Sequence, residues 1–231
     1  VKLVAMADLF ENRVEASHKA LANQFADRVQ VPPERRFHGF DAYRKAIDCL
    51  GPGGIAILAT YAAFRPVHLE YAVAKGAHVF MEKQFAVDPV AVRRIIKAGE
   101  AAQPKNLKIA AGLQCRHSVN RQELIKRIRD GELGQLILVR AYRIHPAGGM
   151  GKKPDGVSEL MWQIRNFTSF PWVSGGLFAE MNIHQIDELC WLKGDYPVIA
   201  RGIGGRKFKS EDRSQELDSH SIEWTFPDGT K

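Results

Sequence analysis

The chain has 231 residues, 45% of them hydrophobic and 26% charged. These values belong to folded globular protein and exclude wholesale disorder and fibrous repeats. The formal net charge is +7, but the lysines and arginines are scattered. The densest basic tracts, Lys126 to Arg129 and Arg201 to Lys209, carry no nucleic-acid module signature, so no nucleic-acid partner is expected.

Lys2 to Ala7 is a short apolar run that stops at Asp8 and predicts a buried strand. From Phe10 to Phe25, Val14, Leu21 and Phe25 recur at helical spacing. Pro32-Pro33 breaks the chain, and Asp41 to Leu50 predicts a short helix. Ile55 to Ala59 predicts a second strand, Val67 to Lys75 a helix stopped by Gly76, and His78 to Met81 a third strand. Asp88-Pro89 is a helix start, with Asp as N-cap and Pro in the first turn, and that helix runs to Ala102. Leu107 to Ala111 predicts a fourth strand.

Alternating strands and helices with apolar strands predict an open, doubly wound parallel sheet covered on both faces. Ligands of such sheets bind beyond the carboxyl ends of the strands. Asp8, Thr60, Glu82, Lys83 and Gln114 all lie at or just past those ends.

Beyond about residue 116 the pattern changes. Val119 to Arg129 predicts a helix, Gln135 to Arg143 a long strand of mixed polarity, and Pro146 to Phe170 a loop. Phe178 to Leu192 predicts a strongly periodic helix closed by Lys193-Gly194, with Ile183, Ile186, Leu189 and Cys190 in the core. Val198 to Ile203 and His220 to Phe226 are the last strands, and Pro227-Asp-Gly229 is a hairpin turn. Mixed polarity predicts an antiparallel sheet with one covered face. Two domains are expected, 1–115 and 116–231. The chain opens at Val1 inside a strand-like run, so a first strand with a Gly-rich phosphate turn is expected ahead of it, and the hairpin's return strand beyond Lys231.

Cys49, Cys115 and Cys190 are odd in number and far apart, which predicts three reduced, packed thiols rather than a disulfide scaffold or a zinc site. No apolar run reaches the ~18 residues that span a bilayer, so no membrane partner is expected. The compartment stays open: cytoplasmic by default, periplasmic if an export signal precedes Val1.

Several residues carry chemical potential, each with a plainer alternative. Asp8 suits the hydroxyls of an adenosine ribose and repels a 2′-phosphate, or else caps the following helix. Lys83 can donate to a substrate hydroxyl, or else pairs with Glu82 at the surface. Glu180, His184 and Asp187 fall at i, i+4 and i+7 on one helical face. A histidine one turn from an acid suits proton transfer, or else is a satisfied core histidine. A metal role is a weak third possibility, because no third ligand is clear. Trp162, Arg165 and Trp172 suit sugar stacking and hydroxyl recognition, or else anchor a packed loop.

Four segments in order and spacing resemble the Gfo/Idh/MocA family of glucose-fructose oxidoreductases and inositol dehydrogenases. They are Val4 to Asp8, Ile57 to Thr60 followed by Pro66-Val-His68, Gly76 to Asp88 with Glu82-Lys83, and Gly175 to Asp187 with His184. The stretch Trp162 to Phe167 with Trp172-Val-Ser-Gly resembles a bacterial branch whose members often carry twin-arginine export signals. The resemblance implies an incomplete Rossmann-like α/β domain, then an α/β domain with an open, mostly antiparallel sheet, assembled as a homodimer or homotetramer. It implies an NAD cofactor, with NADP disfavoured by Asp8, and a sugar, cyclitol or polyol substrate oxidised at a secondary alcohol. Lys83, His184 and Glu180 then match the catalytic positions. Asp8, Thr60, His68, Glu82, Lys83 and Gln114 match the cofactor side, and Arg116, Trp162, Arg165, Trp172 and Asp187 the substrate side. No metal is implied. Two substitutions depart from the family: Gln84 stands where proline is usual, and Glu180 where aspartate is usual. The alternatives within the resemblance are an NAD-assisted oxidation–elimination enzyme and a non-catalytic sugar-binding relative.

Overall fold

A computed structural model describes residues 1–145, 150–206 and 214–231. The first residues of the expected 146–170 loop (146–149) and the end of the 201–209 basic tract (207–209) lie outside the described residues. The chain separates into two compact units, 1–60 with 64–111, and 61–63 with 112–231.

The first unit begins with β1 (Met6–Asp8), which pairs in parallel with β2 (Arg36–His38), Asp8 opposite His38. The run from Lys2 is touched earlier by a single parallel bridge, Leu3 to Val29, and becomes a ladder only at Met6. No expectation was attached to β2. Its three residues alternate polar and aromatic, too short a pattern to stand out. Helices α1 (Glu11–Gln24) and α2 (Ala42–Asp48) pack against these two strands, and α1 buries Val14.

A second parallel sheet follows, in the order β3 (Ile55–Leu58), β4 (His78–Met81), β5 (Ile109–Ala111). Leu58 is level with Met81, and Met81 with Ala111. Helices α3 (Arg65–Ala74) and α4 (Pro89–Ala102) connect these strands and bring Leu69, Ala72, Val73, Ala98 and Ala102 onto Ala56, Leu58, Val79 and Met81. Complete burial of a side chain such as Leu69 is worth about 1.5–3 kcal/mol. The other face differs from expectation. Ile55, Ile57 and Phe80 are 48%, 69% and 36% exposed. Side chains of a strand alternate between faces, and α3 and α4 supply buried residues to one of them only.

The ends of α4 are explicit in the sequence. The Asp88 carboxylate accepts from the Ala91 N–H at 2.7 Å, and Pro89 occupies the first helical position. Gly76 follows α3 at φ 77°, where a side chain would be strained.

The second unit carries a 3-10 turn at Gln114–His117, then α5 (Val119–Arg129), α6 (Glu159–Arg165), a second 3-10 turn at Phe167–Ser169, α7 (Pro171–Ser174) and α8 (Gly176–Lys193). Strands β6 (Ile199–Gly205) and β7 (Ser219–Thr225) pair antiparallel, with Ile199 opposite Thr225. Two expectations are corrected. The 146–170 loop contains α6, started by Ser158, whose hydroxyl accepts from Met161 N–H at 3.3 Å. The predicted 135–143 strand is not a strand. Among the described residues its backbone-to-backbone bonds reach Lys231, through Val139 N–H to Lys231 O at 2.9 Å and Lys231 N–H to Ile137 O at 3.3 Å, and the Thr230 hydroxyl donates to Leu136 O at 3.0 Å. A single facing residue bonded backbone to backbone makes no ladder. The 227–229 turn forms as read, with Phe226 N–H bonded to Thr230 O at 2.9 Å and Gly229 at φ 85°.

Helix α8 also differs from expectation. Ile183, Ile186, Leu189 and Cys190 are half-buried rather than core. Apolar residues lie all round this helix, so burial is spread over its faces instead of concentrated on one. All three cysteines are free, and only Cys115 is buried. Among the described residues no helix is long and apolar enough to cross a membrane.

Candidate functional site

The first unit gathers Asp8, Thr60 and His68 around one cavity of about 70 Å³. Asp8 is the last residue of β1, and Thr60 lies two residues past β3. Both therefore sit at carboxyl ends of parallel strands, where ligands of open α/β sheets bind. Asp8 Oδ1 accepts from the Phe10 N–H at 2.9 Å. Asp8 is not the cap of α1: the N-cap position is Phe10, without a side-chain cap bond, and the Asp8 carboxylate holds the Phe10 N–H in the turn that leads into the helix.

Thr60 is held at two points. Its carbonyl accepts from the Arg65 guanidinium, and its Oγ1 lies 3.0 Å from His68 Nδ1. His68 is only 8% exposed, and its ring stacks on Tyr43 at 4.1 Å. Burial, with the Arg65 charge adding to it, pushes the imidazole pKa down to about 4. At neutral pH the ring is uncharged, so it serves as a fixed hydrogen-bonding partner and not as a proton carrier.

Sequence reasoning missed Gly39, Phe40, Tyr43 and Phe64, which complete the cavity wall. Phe40 is 51% exposed, and its ring centroid lies 6.3 Å from that of Phe64. The aromatic spacing in Arg36-Phe-His-Gly-Phe-Asp-Ala-Tyr43 was the available signal. The cavity is small against the ~300–1,000 Å³ of a whole-ligand pocket.

Past β4, the Glu82 N–H donates to Leu58 O at 3.0 Å, which carries the β3–β4 pairing one residue beyond the strands. The Lys83 N–H donates to Glu82 Oε2 at 3.2 Å. The Lys83–Gln84 peptide is cis. Gln84 is 3% exposed, and neither Oε1 nor Nε2 of its side chain has a hydrogen-bond partner among the described residues.

The second unit holds the remaining predicted residues. Gln114 opens the 3-10 turn and is exposed. Arg116 and Asp187 are bonded to each other: Arg116 Nε lies 3.0 and 2.9 Å from the two carboxylate oxygens, and Nη2 2.7 Å from Oδ1. That fork fixes the 3-10 turn to α8 and raises the Arg116 pKa further. Trp162 is buried and meets Phe170 edge-on at 5.6 Å, as in the packed-loop alternative. Arg165 ends α6 and is exposed. Trp172 is 38% exposed and donates from Nε1 to Gln163 Oε1 at 2.6 Å.

Glu180, His184 and Asp187 lie on one side of α8. Phe178, Asn182, Leu189 and Lys193 lie on roughly the opposite side, at 100° per residue. The latter group lines a larger cavity of about 420 Å³ with β7 and residues 138–142. That cavity contains none of the predicted site residues. Among the described residues no cluster of three or more His, Cys, Asp or Glu side chains could hold a metal ion.

No family model matches the chain. Solved structures do. A myo-inositol 2-dehydrogenase from Lactobacillus plantarum superposes with a TM-score of 0.75 at 24% identity, over 100% of this chain and 60% of that one. An aldose-aldose oxidoreductase from Caulobacter crescentus, complexed with glycerol, gives 0.72 at 21% identity, over 99% and 61%. A scyllo-inositol dehydrogenase from Lactobacillus casei, with bound NAD(H) and scyllo-inositol, gives 0.72 at 24% identity, over 99% and 59%. The chain thus has the fold of these oxidoreductases and spans about 60% of their length. The Rossmann-like fold class expected from the sequence is the one observed.

Proposed function

We propose that the chain is part of an NAD-dependent oxidoreductase acting on a secondary alcohol of a sugar, cyclitol or related polyol. The observation that carries the proposal is the meeting of Asp8, Thr60 and His68 around one cavity at the carboxyl ends of parallel strands. The residues present fit the adenosine half of NAD. Asp8 offers a carboxylate oxygen to the ribose hydroxyls and opposes a 2′-phosphate, which disfavours NADP. Thr60 presents a hydroxyl fixed by His68. Glu82 and Gln114 extend the cofactor side. Two of the structural neighbours are inositol dehydrogenases, one with NAD(H) bound.

In this reading His184 takes the proton of the substrate hydroxyl. Lys83 donates to the same oxygen and stabilises the negative charge that grows on it. Glu180 orients the histidine or a neighbouring substrate hydroxyl. Arg116, Trp162, Arg165, Trp172 and Asp187 form the substrate side. When bound, the nicotinamide accepts the hydride. Assembly as a homodimer or homotetramer belongs to the same proposal. It is supported by the exposed apolar side chains of the β6 region, Val198 at 66% and Ile203 at 77%.

The test is Lys83→Ala and His184→Ala in the full-length protein with a polyol panel. Each is expected to lower kcat by about 10²–10⁴-fold with the circular dichroism spectrum unchanged. Turnover at the unsubstituted rate in either variant contradicts the roles given. Reduced cofactor should accumulate in step with product; redox-neutral turnover points instead to oxidation followed by elimination.

A further inference from the structure

Helix α8 carries Glu180 and His184, and the residue ahead of it brings no side chain to cap it. That residue is Gly175, and Gly175 and Gly176 both sit at positive φ, 75° and 84°. The first N–H groups of a helix have no partner inside the helix. Two side chains from elsewhere take them up. Ser174 Oγ accepts from the Gly176 N–H at 3.0 Å. The next donor, the Leu177 N–H, reaches a residue 39 positions further on: Glu216, whose Oε2 accepts it at 2.8 Å.

Glu216 is anchored on either side of itself. The Gln215 N–H donates to Ser169 O at 2.9 Å, and the Asp218 N–H to Gly205 O at 3.1 Å. A Cβ on Gly176 would lie 3.2 and 3.4 Å from the two carboxylate oxygens, so a side chain there would crowd the carboxylate away. The negative charge also suits the positive end of the helix dipole. One residue past Leu177, the Phe178 ring meets His220 at 5.5 Å and Trp224 at 6.3 Å, both on β7. The chain that leads into β7 therefore grips the first turn of α8 at a polar point and at an apolar one.

His184 rides on that turn. It lies seven residues past Leu177, about 10 Å along the axis at 1.5 Å per residue, and Glu180 lies about 4.5 Å along it. Two successive glycines give the backbone ahead of α8 wide conformational freedom. Removing the Glu216 bond leaves the entry of the helix to that pair, the Ser174 hydroxyl and the Phe178 packing. A displacement of about 1 Å at a reacting group can cost about 100-fold in rate.

We propose that Glu216 is a positioning residue: its carboxylate holds the first turn of α8 and so fixes where His184 stands against the substrate hydroxyl. This inference rests on the role given to His184 above.

The test compares Glu216→Ala, which removes the acceptor, with Glu216→Gln, which keeps an acceptor oxygen at the same reach. Asp88→Ala is the control, because it removes the same kind of bond from the first turn of α4. Rates are measured on the full-length protein with NAD and the polyol panel, well below the melting temperatures. Glu216→Ala is expected to lower kcat about tenfold or more, with the KM for NAD within about twofold. Glu216→Gln and Asp88→Ala are expected to keep kcat within about threefold of the unsubstituted protein. Equal losses in Glu216→Ala and Asp88→Ala would reduce Glu216 to a stability residue and overturn the inference. A Gln variant as slow as the Ala variant also overturns it. Hydrogen exchange without nucleotide is the second measurement. Amides 177–184 should exchange about tenfold faster in Glu216→Ala and at the original rate in Glu216→Gln. Unchanged exchange in Glu216→Ala overturns the hold on α8. A full-length protein that turns over no polyol with NAD overturns the role of His184, and this inference falls with it. The exchange difference, which needs no substrate, tells a lost anchor from a lost reaction.

Discussion

His68 shows how a single side chain serves the site without touching chemistry. Its ring is sandwiched into the first unit by Tyr43, and its Nδ1 faces the Thr60 hydroxyl. The depressed pKa has a consequence for stability. In the unfolded chain the imidazole titrates near 6.5, and in the folded chain near 4. Above that window both states are neutral and His68 adds no pH dependence. As pH falls through it, the unfolded chain takes up a proton that the folded chain refuses, so stability drops and the loss levels off below the folded value. The shift corresponds to roughly 3 kcal/mol across the window. Urea unfolding of the first unit should therefore lose stability from pH 6.5 toward 4, and His68→Gln should flatten that decline. Parallel curves for the two proteins would contradict a neutral, buried ring. His68 was named as a cofactor residue by its place after Pro66-Val; its burial and its hold on Thr60 depend on tertiary contacts with Tyr43 that spacing does not encode.

At the scale of elements, local chemistry was most legible where caps and breakers are present. Asp88-Pro89 announces α4, and the helix begins there. Asp88→Ala removes the side-chain acceptor from the first turn and should cost about 1 kcal/mol of stability. Asp88→Asn, which keeps an acceptor, should cost much less. Equal losses in chemical denaturation would show that the cap bond contributes nothing. Strand β4 was bounded correctly because Gly76 and Glu82 frame it. Strand β2 and helix α6 escaped notice for different reasons. Three residues of strand leave no period to detect, and Ser158-Glu-Leu-Met-Trp-Gln-Ile-Arg165 was hidden inside a segment read as loop for its glycines and lysines. The expected two-sided burial of β3 also failed. A continuous apolar run looks the same whether one face or both are covered, and only the positions of α3 and α4 decide it.

At the scale of the molecule, the fold class followed from the strand–helix alternation. Asp8 and Thr60 were grouped by their places at strand ends and His68 was added on the cofactor side by the resemblance; the three line one cavity. The aromatic wall of that cavity was not foreseen, because Phe40, Tyr43 and Phe64 come from two distant segments that only folding unites. On α8 the helical period placed Glu180, His184 and Asp187 together, but the fork from Arg116 to Asp187 joins residues 71 positions apart and no periodicity reveals it. In the proposed reaction Lys83 and His184 act on one substrate oxygen. A crystal structure of the full-length protein with NAD and a polyol tests it most directly. Lys83 Nζ and a His184 ring nitrogen are expected within about 3.2 Å of the same hydroxyl, beside the nicotinamide. The two side chains facing separate hollows, with the polyol against only one of them, would contradict it.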